Sequence, residues 1–376
     1  MRPRPEWGAS GRTALGAVAT ALMLAVGACG GEEQKAAGGG GGDAKPAGKI
    51  AVLLPDSASS SRWEKDDRRF FDQIFERDGL TKDDYIISNA EGDAAAQQSQ
   101  AEQAITNGAK VLLLVNLDNG SGATIIENAH AQGVKVIDYD RLTLEGDADY
   151  YVSGDAEAAG RLQGEGLVDC IGEGTQKPRI AVLHGAPTDS FADFLKNGYG
   201  AVIDPKFESG EWEKVGDQAV PDWDNQQALT IFEQMLEKSN GRIDGVLAAN
   251  DGLANATISA MQSRKLDPVP TTGLDATAEA IQNILAGDQC MTVYFNIQEQ
   301  ADAAAQVALQ LVRGEKVSGV DTKVDNEKKE VPTVLIDPVT VTKTNIEDTV
   351  IKDGFRTWEE VCVGRFAKLC PPESER

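Results

Sequence analysis

The residues best suited to chemistry stand where apolar runs end: Pro55-Asp56, Asn116, Asp138-Tyr139-Asp140-Arg141, His184-Gly185, Asn250-Asp251 and Asp275. Most are Asp, Asn or Arg, whose planar side chains offer paired hydrogen-bonding atoms. Trp63, Phe191, Trp223 and Phe295 lie near such ends. Forked polar groups beside aromatic faces suit a polyhydroxylated ring, whose hydroxyls take the hydrogen bonds while its C–H face rests on an indole. The plainer alternative is that each Asp or Asn only caps the helix that follows it. Metal and nucleophile chemistry has little to work with, since the chain holds two His (His130, His184) and five Cys. Neither a Gly-x-Gly-x-x-Gly after the first strand, nor a Gly-x-x-x-x-Gly-Lys-Ser/Thr loop, nor a Gly-x-Ser-x-Gly elbow is present. Asp140 and Asp275 could form a glycosidase pair, but their guanidinium and amide neighbours suit binding better. No cofactor is expected.

The elements that must position these residues repeat a strand–helix cycle from Lys49 onward. Ile50–Leu54, Tyr85–Ser88, Val111–Val115 and Val134–Ile137 read as strands, separated by helical stretches Trp63–Asp78, Ala94–Asn107 and Ile125–Ala131. The cycle restarts after Gly154, with strands at Arg179–Leu183, Trp212–Ala219, Gly245–Ala249, Thr271–Leu274 and Met291–Phe295. Near-continuous apolar strands alternating with helices predict parallel sheets covered on both faces. Two such units at 376 residues predict two doubly wound α/β domains. Ligands in such sheets bind beyond the carboxyl ends of the strands, so two facing domains would share a cleft lined by the residues above.

Composition narrows the class further. With 36 Lys+Arg against 60 Asp+Glu the formal net charge is -24, which argues against a nucleic-acid partner. Residues 1–28 read as an export signal, with Arg2, Arg4 and Arg12 ahead of an apolar Ala14–Ala28 stretch. The stretch ends Val26-Gly27-Ala28-Cys29, which resembles the lipobox of bacterial lipoproteins and makes Cys29 the candidate lipidation site; an ordinary signal peptide with a nearby Cys is the alternative. Residues 29–48, Gly-rich around Gly38–Gly42, read as a flexible tether. Export makes the other Cys disulfide candidates. Of the three possible pairings, proximity favours Cys362–Cys370, leaving Cys170–Cys290.

The strand-end residues also carry a family resemblance. Over roughly 49–345 the chain resembles the solute-binding components of sugar ABC importers, of the ribose/xylose-binding type. Arg62-Trp63-Glu64-Lys65-Asp66, Tyr139-Asp140-Arg141, Pro187-Thr188-Asp189, Asn250-Asp251, Gly273-Leu274-Asp275 and Met291-Thr292-Val293-Tyr294 carry it, in the order seen across that group. The resemblance implies a type I periplasmic binding protein fold of two Rossmann-like domains joined by three hinge crossings, placed near Val152–Ser153, Phe295–Gln298 and Val331–Ile336. One sugar-binding lobe would comprise 49–153 with 296–330, and the other 154–295 with 331–376. Sugar hydroxyls would be held by Arg62, Asp140, Arg141, Asp189, Asn250 and Asp275, with Trp63 and Trp223 against the ring. Phe191 and Phe295 stand where xylose-binding members have a contacting Asn and Lys, which implies another monosaccharide or a short oligosaccharide as the preferred ligand.

The expected partners are thus a sugar, an ABC permease with its ATPase, and the outer face of the cell membrane through the lipid anchor. A ligand-sensing receptor for chemotaxis or signalling is the competing reading. A repressor is disfavoured because an export signal and tether occupy the place of a DNA-binding domain. The run Asp325-Asn326-Glu327-Lys328-Lys329-Glu330 reads as a solvated loop, and the tail Trp358–Cys370 extends beyond the shared pattern.

Overall fold

The computed structural model describes residues 48–372. The signal segment, Cys29 and nearly all of the tether lie outside the described residues. The first unit runs β1 (Lys49–Leu54), α1 (Arg68–Arg77), β2 (Tyr85–Asn89), α2 (Ala94–Thr106), β3 (Ala109–Leu114), α3 (Asn119–Ala131), β4 (Lys135–Tyr139) and β5 (Tyr150–Gly154). The second runs α4 (Ala156–Ile171), β6 (Arg179–His184), α5 (Ser190–Glu208), β7 (Glu213–Ala219), α6 (Asn225–Lys238), β8 (Gly245–Ala248), α7 (Asp251–Ser263), α8 (Ala278–Ala286) and β9 (Thr292–Tyr294). The chain then returns through α9 (Ile297–Val312), β10 (Thr322–Asp325), β11 (Glu330–Ile336), β12 (Val339–Val341) and a short α10 (Trp358–Val361).

One seven-stranded sheet has the order β10-β11-β5-β4-β3-β1-β2, parallel except for the edge strand β10. Ile50 to Leu54 are wholly buried, as a central strand covered on both faces requires. On α1, Phe70, Phe71, Ile74 and Phe75 form the apolar stripe that meets this sheet, with Phe71 edge-on to Tyr139 at 5.0 Å. The other lobe holds the parallel strands β7-β6-β8 and the antiparallel pair β12-β9. There α4 and α5 lie almost backbone to backbone. A Cβ at Gly160 would fall 2.0 Å from the Leu195 carbonyl oxygen, and one at Gly198 would fall 2.1 Å from that of Glu157.

Two expectations change and a third is refined. Thr271–Leu274 is not a full strand but two isolated bridges, Val246 to Thr271 and Leu274 to Val293. The Thr272 hydroxyl, 3.0 Å from both N and O of Ala248, occupies the place of a ladder pair. The third crossing does not lie within 331–336, because β11 pairs in parallel with β5. Residues 331–336 therefore belong to the first sheet rather than with 337–376, and the chain crosses at Asp337–Pro338 before β12 pairs with β9. The other two crossings fall at Gly154–Asp155 and Phe295–Asn296, within two residues of their expected places. Finally, the charged run 325–330 is the turn of the β10–β11 hairpin, and its Asn326 is buried. The Asn326 amide donates to the carbonyls of Thr143 and Gly146, so the loop is pinned to the first lobe. Both Cys170–Cys290 and Cys362–Cys370 are disulfide-bonded.

Candidate functional site

The carboxyl ends of the two sheets face each other, and between them lies a chamber lined by Ser59, Ser60, Arg62, Trp63, Asp140, Arg141, Asp189, Phe191, Trp223, Asn250, Leu274 and Asp275. Nine of the ten residues expected from the sequence meet there. Phe295 does not line it. Its ring sits behind Phe191, edge to face at 6.3 Å, and fills the space beside Gly154, where a Cβ would come within 2.4 Å of it. Phe295 is therefore a core residue backing the wall.

Arg62 is aimed by a buried network. Its Nε and Nη2 donate to the two oxygens of Asp67 at 2.9 and 3.0 Å, and Tyr139 Oη donates to Asp67 Oδ1 at 2.7 Å. Arg62 Nη1 reaches Asp140 Oδ2 at 3.0 Å, an oxygen that also accepts from Gln300 Nε2 at 3.1 Å. The neighbouring carboxylates raise the Arg62 pKa well above its ordinary value against the cost of burial, and burial pushes the Asp67 carboxyl up against the pull of Arg62. Arg141 donates from Nη1 to the Asn116 carbonyl at 3.1 Å, and its Nε lies 3.1 Å from Asp189 Oδ2. Asp189 also accepts from Trp223 Nε1 at 3.0 Å, and burial raises its pKa against the pull of Arg141. The Trp63 ring lies beneath both guanidinium groups, 4.3 Å from Arg62 and 5.8 Å from Arg141.

Capping and lining fall on the same residues. Asp189 Oδ1 accepts from Phe191 N at the start of α5, and Asn250 Oδ1 accepts from Leu253 N at the start of α7. Their remaining atoms face the chamber or the opposite lobe. Asp140 and Asp275 hold φ values of 66° and 101°, a backbone region uncommon for non-glycine residues and often kept at functional sites. Burial pushes the Asp275 carboxyl up to about 7.

Other strand-end groups brace the site from outside. Asp56 accepts from Ser59 N and Oγ and so shapes the serine loop. Asp138 accepts from N and Oγ1 of Thr143 and is pushed up to about 7 by burial. His184 bonds Tyr199 and Asp217, away from the chamber. Asp251 gathers Gln289, Thr292 and Thr277, and burial pushes it up to about 6. Sequence reasoning missed Ser59 and Ser60, whose only signal was the Ser57–Ser61 run, and Asp67 and Gln300, which carried none.

Contacts across the chamber hold the lobes together. Ser60 Oγ donates to Asp275 Oδ2 at 2.9 Å, Asn250 Nδ2 to the Ser59 carbonyl at 3.3 Å, and Ser190 Oγ to the Leu142 carbonyl at 2.6 Å. The side chains around the chamber are almost all buried and leave a space of only about 30 Å³, too small for a sugar, whereas the groove beyond Arg141, Asp189 and Trp223 measures about 640 Å³. A solute can therefore reach the inner chamber only when the lobes part. Among the described residues no cluster of His, Cys, Asp and Glu is placed to hold a metal ion.

A two-lobed sheet pair closed over a polar, indole-walled chamber defines a solute-binding protein, the class to which comparison also leads. Residues 50–316 match the model of the periplasmic binding protein domain, and the chain belongs to that family. It is 37% identical over 314 residues to the D-xylose-binding periplasmic protein of Haemophilus influenzae, covering 83% of this chain and 92% of that one. It is 30% identical to a multiple sugar-binding periplasmic receptor of Rhizobium radiobacter, covering 83% and 92%. A solved carbohydrate-transporter solute-binding protein from Chloroflexus aurantiacus, in complex with D-glucose, superposes with a TM-score of 0.76 at 28% identity, covering 83% of this chain and 97% of that one. The fold is the type I periplasmic binding protein fold, in a family of binding proteins rather than enzymes.

Proposed function

We propose that the protein captures a sugar between its lobes and hands it to an ABC permease driven by an ATPase. The observation that carries this reading is the chamber itself. Arg62, Asp140 and Arg141 from one lobe and Asp189, Asn250 and Asp275 from the other converge beside the Trp63 and Trp223 rings. Hydroxyls both donate and accept, so a polyol can satisfy guanidinium and carboxylate groups at once. A ligand that contacts both lobes favours the closed form by its differential affinity for it. Phe191, on the wall, offers no side-chain hydrogen bond where the sequence resemblance implies an amide in xylose-binding members, which supports a ligand other than D-xylose as the tightest. Calorimetric titration with D-xylose, D-glucose and a disaccharide tests this. Binding of none of them defeats the sugar reading, and D-xylose as the tightest defeats the specificity.

The exported lipoprotein reading rests on Val26-Gly27-Ala28-Cys29 and the glycine tether. Replacing Cys29 with Ser should release the protein from the membrane fraction, and undiminished association without lipid on Cys29 refutes it. The sensing alternative draws support from the receptor relative. Deleting the gene should abolish sugar uptake if the protein serves an importer; intact uptake with a lost behavioural or transcriptional response favours the sensor.

A further inference from the structure

We propose that the carboxy-terminal tail is a closed-state clamp, in which Arg356 grips the turn that aims the ligand-facing Arg62. The tail is built onto the second lobe. Gln282 of α8 donates to the Val361 carbonyl at 3.0 Å, Lys343 Nζ to the Leu285 carbonyl at 2.8 Å, and the Phe355 ring lies 5.0 Å from Tyr294 of β9. The Cys362–Cys370 bond closes its far end. From this base Arg356, only 7% exposed, donates through Nε to the Ala276 carbonyl at 2.9 Å. Its Nη1 and Nη2 then cross to Asp66 on the first lobe, at 3.2 Å to Oδ2 from each, and Asp66 is 3% exposed.

The turn it grips is unusual. Residues Trp63–Asp67 form a wide helical turn, closed by Arg68 N–H to the Trp63 carbonyl, ahead of α1. Such insertions are frequent at functional sites. Consecutive carboxylates divide the work. Asp66 takes the tail Arg356 together with Nη2 of Arg69, and Asp67 takes Nε and Nη2 of Arg62. Trp63, the first residue of the turn, is itself a wall of the chamber. The clamp therefore touches no ligand, yet it ties the second lobe to the element that places an indole and a guanidinium in the site. The Ser60, Asn250 and Arg141 contacts across the chamber lie among ligand-facing groups, whereas the Arg356 contact stands clear of them. A hinge opening that separates Ser60 from Asp275, 215 residues apart in sequence, must also stretch Arg356 from Asp66. Arg356 is a positioning residue acting through the turn, and it slows ligand release rather than recognising the ligand.

The ligand arm of the test rests on the sugar reading above; the scattering arm does not. Full-length protein is compared with Arg356→Gln, Asp66→Asn, the double variant and Arg356→Lys, after circular dichroism shows that each is folded. Small-angle scattering without ligand reads the open–closed balance, and stopped-flow dissociation of D-glucose and D-xylose reads release. Both single variants should show a larger unliganded radius of gyration and release about tenfold faster, with association little changed. The double variant should be no worse than either single one, and Arg356→Lys should recover part of the loss. Asp67→Asn should weaken binding without enlarging the unliganded protein. If the wild type binds neither sugar, scattering alone decides the clamp, and a radius enlarged by Arg356→Gln sustains it while the sugar reading falls. Scattering and release both unchanged in folded Arg356→Gln overturn it, as does unchanged scattering where no sugar binds.

Discussion

Removal of the Arg141 side chain is the perturbation that most directly probes the chamber. Arg141 is 6% exposed and pairs across the lobes with Asp189, which is 3% exposed. Breaking a buried ion pair by deleting one partner typically costs about 3–5 kcal/mol, because the other charge stays buried. Here Asp189 keeps two donors, Phe191 N and Trp223 Nε1, which offset part of that loss. Arg141→Ala also strands the Asn116 carbonyl, an acceptor of Nη1. Since the pair forms between lobes, most of the loss falls on the closed, ligand-bound form rather than on folding. The balance is about 2 kcal/mol of binding free energy, or about thirty-fold in Kd. Calorimetric titration with the tightest sugar of the panel measures it. Arg141→Lys should recover only part, since an ammonium cannot reach Asp189 and Asn116 together as the planar fork does. Adding Asp189→Asn to Arg141→Ala should cost less than the sum of the two changes, because no charge is then left unpaired. Full affinity in Arg141→Ala, or strict additivity in the double variant, refutes the reasoning.

Gly185→Ala should weaken sugar binding about tenfold or more; its Cβ would fall 2.2 Å from the Trp223 ring and push that wall aside, and titration beside Gly160→Ala, which perturbs only the α4–α5 contact, separates site from stability. Replacing Cys170 and Cys290 by Ser opens a cross-link spanning 120 residues and should lower stability by about 2–5 kcal/mol, read as the shift of a denaturant midpoint. Thermal stability should fall as pH rises. Asp138 and Asp275, pushed up to about 7, and Asp251, pushed up to about 6, hold protons in the folded chain that the unfolded chain releases from about pH 4 upward. His184, lowered by burial, works the other way, its contribution present above about pH 6.5 and lost below. Three carboxyls outweigh one imidazole, so the melting midpoint at about pH 5.5 should exceed that at about pH 8; the reverse order rejects the buried-carboxyl account.

The alternation of strands and helices was legible in the residues alone, because strands buried on both faces must be nearly unbroken apolar runs, as in Ile50–Leu54, and their helices start at Asp or Asn. So was the end of the sheets at which to look, since the strand termini of a parallel sheet converge, and Asp140, Arg141, Asn250 and Asp275 duly line one chamber. Which polar strand-end group faces the chamber was decided only by tertiary structure. Asp138 and Asp140 share a face by strand periodicity, yet the positive φ at Asp140 turns it to Arg62 while Asp138 is spent on Thr143. Phe191 and Phe295 are the same residue type near two strand ends, and only the space beside Gly154 makes one a wall and the other its backing. The partnership of β11 with β5 moved the last crossing, because pairing is settled by which sheet edge is free rather than by the local run. Least legible was Arg356 meeting Asp66 across 290 residues, since an ion pair that distant leaves no periodicity, spacing or motif to read.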